Sequence, residues 1–158
     1  MELWQAILDA GEEFDLKVTG PIVSRAVERG VTDTGYYNNC DMNPFEDLNA
    51  RLVDVDKPAD FVGKQALKRI LREGVKRRSV GLIFDAPVPR LEWFWESINP
   101  RGNPGQVRWA TYSFALGKYI GIALVDRAVE IGEILKIDHP RGGCAAEVTA
   151  VPFVGRDD

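Results

Sequence analysis

The sequence predicts an α+β protein: a helical first half with irregular connections, followed by a small antiparallel β-unit. Three observations carry that expectation. Apolar residues in the first half recur at helical spacing. From residue 78 onward they fall in six short β-branched or aromatic runs bounded by turn residues. No long helical pattern separates those runs, which suits a small barrel or a sandwich. The change of character falls at Lys76, Arg77 and Arg78 and divides the chain into segments 1–75 and 76–155.

The elements follow in order. Residues 2–10 place Leu3, Trp4, Ile7 and Leu8 on one side, a short amphipathic helix that Gly11 follows. Residues 24–30, SRAVERG, read as either a helical turn or a strand. The run 31–46 is rich in Asp, Asn, Gly and Pro and reads as loop. Residues 50–56, ARLVDVD, alternate weakly and predict a short strand ending before Pro58. Over 60–74 a helix is expected. Asp60 is its candidate cap, Ala66, Leu67, Ile70 and Leu71 share its apolar face, and Gly74 ends it in the left-handed conformation. The six strands are then expected at 78–85, 92–98, 105–113, 119–126, 132–138 and 146–154, with hairpin loops at 99–105 and 141–143.

A chain of 158 residues that is 45% hydrophobic buries one core, or two small ones. Its formal net charge of -4 argues against a nucleic-acid partner, which a basic surface would serve. No apolar run is long enough to cross a bilayer, and no basic stretch with an apolar follower opens the sequence. Cys40 and Cys144 lack zinc-like spacing, and one His cannot complete a metal framework. Reduced thiols and a cytoplasmic protein are expected.

Several residues invite a chemical reading. Gly63-Lys64 at a helix start suggests a phosphate loop, but that loop needs an earlier glycine where Pro58 stands and a hydroxyl where Gln65 stands. His139 lies beside the turn at 141–143, with no nucleophile that spacing assigns to it, and reads as an exposed turn residue. Trp93 and Trp95 share one strand face and Phe94 the other. Core packing is the reading preferred, with Trp109 and Tyr112 packing against them from the neighbouring strand. A flat-ligand pocket between Trp93, Trp95 and Trp109 is the rival. Asp33, Asp41, Glu46 and Asp47 cluster in the first-half loop, as turn caps or as ligands. Arg25 and Arg29 either hold a carboxylate ligand bidentately or pair with Glu28 on the surface.

The run NPFE…RLVDVDKPADFVGKQAL, then KRRSVGL, GQVRWATYSFALGKYIGIALVD and AEVTAVPFV, resembles the glycine-cleavage T protein (aminomethyltransferase) family over about residues 3–154, in the same order. The spacing around MNPFEDLNARLVDVDK and LKRILREGVKRRSVGL is most similar to the dimethylsulfoniopropionate demethylase-like branch. The resemblance implies that 1–75 is the tail of a folate-binding domain and 76–155 the family's C-terminal β-barrel. It implies tetrahydrofolate as cofactor and a one-carbon unit, methyl or aminomethyl, as cargo. Folate brings its own nucleophilic nitrogen, so the protein mainly orients two reactants.

The resemblance also implies that the catalytic aspartate lies in an N-terminal half that these residues do not include. No catalytic residue is assigned here. The cofactor-binding candidates are Arg25, Glu28 and Tyr37. Arg25 matches the arginine of the family's Arg-x-Glu, with Glu28 one place later than that pattern, and Tyr37 lies where the family has Tyr-Gly-x-Asp. The expected partner is the N-terminal catalytic half, another subunit or a second copy. A non-catalytic module docking on another subunit is the alternative function.

Overall fold

Alternating side chains close the second half into a barrel. In the computed structural model, which describes residues 2–18, 20, 23–31, 41–89, 91, 95–99 and 101–155, six strands form one closed sheet. They are β1 (Arg77–Phe84), β2 (Trp95–Ile98), β3 (Pro104–Ser113), β4 (Lys118–Asp126), β5 (Ile134–His139) and β6 (Gly142–Thr149). Their order around the barrel is β1-β4-β3-β2-β5-β6, every neighbouring pair is antiparallel, and β6 returns to β1. Closure leaves no free sheet edge. Hairpins join β2 to β3, β3 to β4 and β5 to β6, whereas the β1–β2 and β4–β5 connections join strands that are not neighbours.

The inward positions carry the main core. Val80, Leu82 and Phe84 of β1 meet Trp95, Val107, Ala123, Val125, Leu135, Ile137, Ala146 and Val148 from the other five strands. Val88 and Val129, from the two longer connections, pack into the same core. Those connections leave from opposite ends, because β1 and β4 run antiparallel and Arg77 pairs with Asp126.

The helices of the first half are α1 (Glu2–Gly11), α2 (Val23–Glu28) and α3 (Lys64–Glu73). SRAVERG is thus settled as helix. Residues 50–56 hold no strand: Ala50–Leu52 is a 3-10 turn. The reason is local hydrogen bonding. Leu52 and Val53 N–H groups donate to the Asn49 and Ala50 carbonyls, and Asp56 and Lys57 N–H groups donate to Asp54 Oδ1. Those groups are satisfied without a partner strand.

Helix α3 also starts differently from expectation. Gly63, at φ +90°, precedes it, and no side chain caps it, Asp60 included. Lys64 Nζ folds back to donate to the Lys57 and Ala59 carbonyls at 2.6 and 3.0 Å. Its ammonium is therefore committed to the preceding loop, which is a structural role. Gly74 ends the helix at φ +88° but with an extended ψ of 138°, outside the left-handed helical region.

At the other end of the chain β6 begins and ends earlier than 146–154. His139 pairs with Gly142 across a two-residue turn, and Gly142 takes φ +110°. Residues 150–154 leave the ladder for α2. No helix among the described residues is long and apolar enough to cross a membrane.

Candidate functional site

Helix α2 lies on the outer wall of the barrel, against β3 and β4. Val27 is its fully buried anchor, in a second cluster with Trp109, Ile120 and Ile122. The outward direction of Trp109 has a specific cause. A β-bulge between Val107 and Trp109 shifts the register by one, so Val107 faces the barrel interior while Trp109 faces α2. Trp109 therefore does not pack against Trp95 as the alternation suggested. Trp95 lies inside, edge-on to Phe84 at 6.4 Å between ring centroids. With the barrel wall between Trp95 and Trp109, the two cannot line a common pocket. Trp93 and Phe94 fall outside the described residues.

Glu28 fastens α2 in place. Its side chain is buried, and Oε1 accepts a hydrogen bond from Ser113 Oγ at 2.5 Å. Its carbonyl accepts from the Phe153 and Val154 N–H groups at 2.8 and 3.3 Å. The tail is seated by two glycines. A Cβ on Gly30, which sits at φ +65°, would meet Val151 Cγ1 at 2.2 Å. One on Gly81 would meet the Phe153 ring at 2.8 Å. Arg25, three residues before Glu28, is exposed, and its guanidinium has no ion pair among the described residues. Tyr37 falls outside the described residues, as does Asp33. Of the three cofactor-binding candidates the structure thus places Arg25 and Glu28 on one short helix, the first facing solvent and the second buried.

The acidic loop is tied to the barrel by two arginines. Arg108, fully buried at the bulge, donates from Nη1 and Nη2 to the two Asp41 carboxylate oxygens at 2.9 and 2.5 Å. It also donates to Gln106 Oε1 at 2.8 Å. Arg77 grips Glu46 with Nε and Nη2, both at 2.9 Å, and reaches the Asp41 carbonyl at 2.6 Å. Glu46 in turn accepts from the Asn43 N–H at 3.0 Å, closing its own turn. These acids brace the loop, and no group of His, Cys, Asp and Glu among the described residues suits a metal.

The arginines hold both carboxyls low. The Arg108 hydrogen bonds are the largest influence on Asp41 and outweigh its burial, leaving it below 3.8. Burial pushes Glu46 up, but the Arg77 and Asn43 hydrogen bonds and the Arg77 charge together leave it below 4.5. Both groups bind a proton more weakly in the folded chain than in the unfolded one. Their stabilisation is therefore full above the unfolded values, above about pH 5, and is lost as pH falls through the lower folded values. Thermal unfolding from pH 7 to pH 3 is expected to show a steepening loss below about pH 5, shallower in Asp41→Asn. A Tm that stays flat down to pH 3 would contradict this assignment.

Histidine 139 differs from the exposed turn residue expected. It is buried against Trp95, with ring centroids 5.3 Å apart, and its Nδ1 accepts the Arg141 N–H at 3.2 Å. It shapes the β5–β6 turn. Cys144 is a free, half-buried thiol whose pKa burial and nearby Asp85 push up.

Sequence reading did not single out Ser113, Arg108 or Arg77 as partners of these groups. The one available signal was a charge, Arg108, inside an otherwise apolar strand run. That pattern marks a bulge or an ion pair, but the partner 67 residues away is set by the fold.

Residues 77–155 match the glycine cleavage T-protein C-terminal barrel domain. Human mitochondrial dimethylglycine dehydrogenase is 31% identical over 164 residues, covering 96% of this chain and 18% of that protein. Aminomethyltransferase of Bacillus subtilis is 30% identical over 161 residues, covering 99% of this chain and 44% of that protein. The chain therefore spans less than half the length of these relatives. The glycine cleavage system aminomethyltransferase T of Bartonella henselae superposes with a TM-score of 0.72 at 23% identity, over 83% of this chain and 37% of that one, which supports the fold. By sequence match and by barrel topology together, the chain belongs to the glycine cleavage T-protein family, whose C-terminal barrel domain it carries.

Proposed function

We propose that this chain is the C-terminal part of a tetrahydrofolate-dependent one-carbon transferase, supplying the barrel and one wall of the cofactor pocket. The observation that carries the reading is Arg25. Its guanidinium is exposed, without an ion pair among the described residues, on a helix fixed to the barrel by Val27 and Glu28. A cation held this way suits the carboxylate of a folate. Glu28 serves as a positioning residue for Arg25, and Tyr37 completes the cofactor contacts from the following segment. The spacing around residues 42–57 and 67–82 supports a demethylase-like member that takes its carbon from a methylated donor. The catalytic acid is supplied by the N-terminal half of the family fold, so the 158-residue chain by itself is inactive.

Calorimetric titration of tetrahydrofolate into the chain tests this. Saturable binding that Arg25→Ala abolishes is the expected result. Binding that the variant leaves unchanged would remove Arg25 from the site. Methyl transfer to tetrahydrofolate by the chain alone would overturn its inactivity.

A second reading, a docking module, is favoured by uncovered apolar surface. Helix α1 buries only Gly11, while Leu3, Trp4, Ile7 and the following Phe14 stay exposed. Helix α3 buries no residue. Such a surface asks for a cover, either the rest of the family fold or a second copy. Light scattering that shows a monomer at high concentration would exclude the second copy.

A further inference from the structure

Two helices of the chain are unpartnered, and their charges are opposite. Helix α1 packs only on the 3-10 turn Glu12–Phe14 that follows it, and α3 packs on no other helix or strand. Of α1 only Gly11 is buried, and of α3 nothing is. Each keeps apolar side chains in the open: Leu3, Trp4 and Ile7 on α1, Leu71 on α3 and Val62 just before it.

Charge separates the two. Glu2, Asp9, Glu12, Glu13 and Asp15 make α1 and its turn acidic, and no Lys or Arg follows Glu2 before Lys17. Helix α3 sets Lys64, Lys68, Arg69 and Arg72 against Glu73, and Lys76 follows. Some of these charges are matched locally: Asp15 by Lys17, Lys68 by Asp56, Arg69 by Glu73, and Lys64 by the Lys57 and Ala59 carbonyls. Glu12, Glu13, Arg72 and Lys76 have no ion pair among the described residues.

Charge then decides what covers each apolar stripe. Removing such stripes from water stabilises an assembly by about 25 cal/mol per Å². Placing α1 on α1 sets acids against acids, and placing α3 on α3 sets cations against cations; like charges in an interface oppose both. Placing α1 on α3 joins opposite charges, whose fields also steer the encounter. Within one copy α1 and α3 do not pack on each other, so the α3 that α1 meets belongs to another copy.

We propose that two copies of this chain form a dimer about a two-fold axis in which α1 of each lies on α3 of the other. This pairing rests on the docking-module reading and gives it one partner, a second copy. The two-fold axis makes the contact twice, because a residue of α1 that meets α3 of the second copy is met in return. A specific dimer buries at least about 1,200 Å² in total, which helices of ten residues reach more readily in two contacts than in one.

Analytical ultracentrifugation of the full 158-residue chain, from nanomolar to high micromolar concentration and at low and high salt, tests this. A monomer–dimer equilibrium that weakens as salt rises is the expected result. Two charge-reversed variants use exposed positions only: Asp9→Lys/Glu12→Lys/Glu13→Lys on the α1 side and Arg69→Glu/Arg72→Glu/Lys76→Glu on the α3 side. Each alone is expected to dimerise at least about tenfold more weakly at low salt, because both of its contacts then join like charges. Mixed in equal amounts they are expected to form a heterodimer of wild-type affinity, since both contacts again join opposite charges. Trp4→Ser/Ile7→Ser, which removes exposed apolar area and leaves the charges alone, is expected to stay monomeric where the wild type is a dimer. Circular dichroism with a Tm confirms that each variant folds.

The outcomes separate the pairing from the reading it rests on. A monomer at every concentration overturns the dimer and leaves the rest of the family fold as the cover. A dimer that neither reversal weakens overturns the α1–α3 pairing and leaves the second copy standing as the docking partner. Reversed variants that fail to form a heterodimer on mixing overturn the pairing as well. Assemblies that grow beyond two copies overturn the two-fold closure.

Discussion

Leu82→Ala is expected to lower stability by about 3–5 kcal/mol, the range for a fully buried leucine whose neighbours cannot collapse onto the space. Leu82 is wholly buried on β1, the strand that holds β4 on one side and β6 on the other. It pairs across to Gly121 and Val148. Gly121 has no side chain to swing into the gap, and backbone on both flanks is fixed by ladder hydrogen bonds. The cavity therefore stays open. For a chain of this length the loss corresponds to a Tm drop of roughly 8–15 °C. Denaturant unfolding with an unchanged m-value is the measurement that checks it. A loss below about 1 kcal/mol would mean the barrel interior relaxes far more than its closed topology suggests.

Asp41→Ala is expected to cost about 2–3 kcal/mol, although Asp41 itself is half exposed. The cost comes from the other partner. Arg108 is fully buried, and the substitution leaves a guanidinium in the protein interior without its carboxylate. Breaking a buried pair costs about 3–5 kcal/mol, and the estimate is lowered because water reaches the Asp41 side and Gln106 still accepts. Combining Asp41→Ala with Arg108→Met, which removes the stranded charge, is expected to recover most of the loss. A double variant as unstable as the sum of the single ones would show that the two residues act independently. Across the pair, Arg108 fixes Asp41, and with it the start of the 41–47 turn, to the barrel.

Local rules reach different distances along this chain. The strands of the second half were legible because period-two apolar runs and their turn residues are local signals, and five of the six lie within a few residues of expectation. β6 was misjudged because its tail finds hydrogen-bond partners on α2, 120 residues or so earlier in the chain, which no local pattern announces. The weak alternation at 50–56 failed for the opposite reason: Asn49 and Asp54 satisfy the backbone on the spot, and no neighbouring strand competes. At Gly63-Lys64 the missing positions, Pro58 and Gln65, argued against a phosphate loop. What Lys64 does instead, binding the Lys57 and Ala59 carbonyls, appeared only with the loop in place.

By itself the sequence determined the α-then-β order, the barrel's strands, the family and the candidacy of Arg25, because periodicity, turn chemistry and ordered motifs are all written along the chain. Only the tertiary structure decided which way each candidate faces. It buried Glu28 on Ser113, left Arg25 outward, and turned Trp109 away from Trp95 with a single bulged residue. The physical reason is that burial and pairing are contacts between distant segments. A one-residue shift in a strand, or a tail that leaves its ladder, redirects side chains without altering any local pattern.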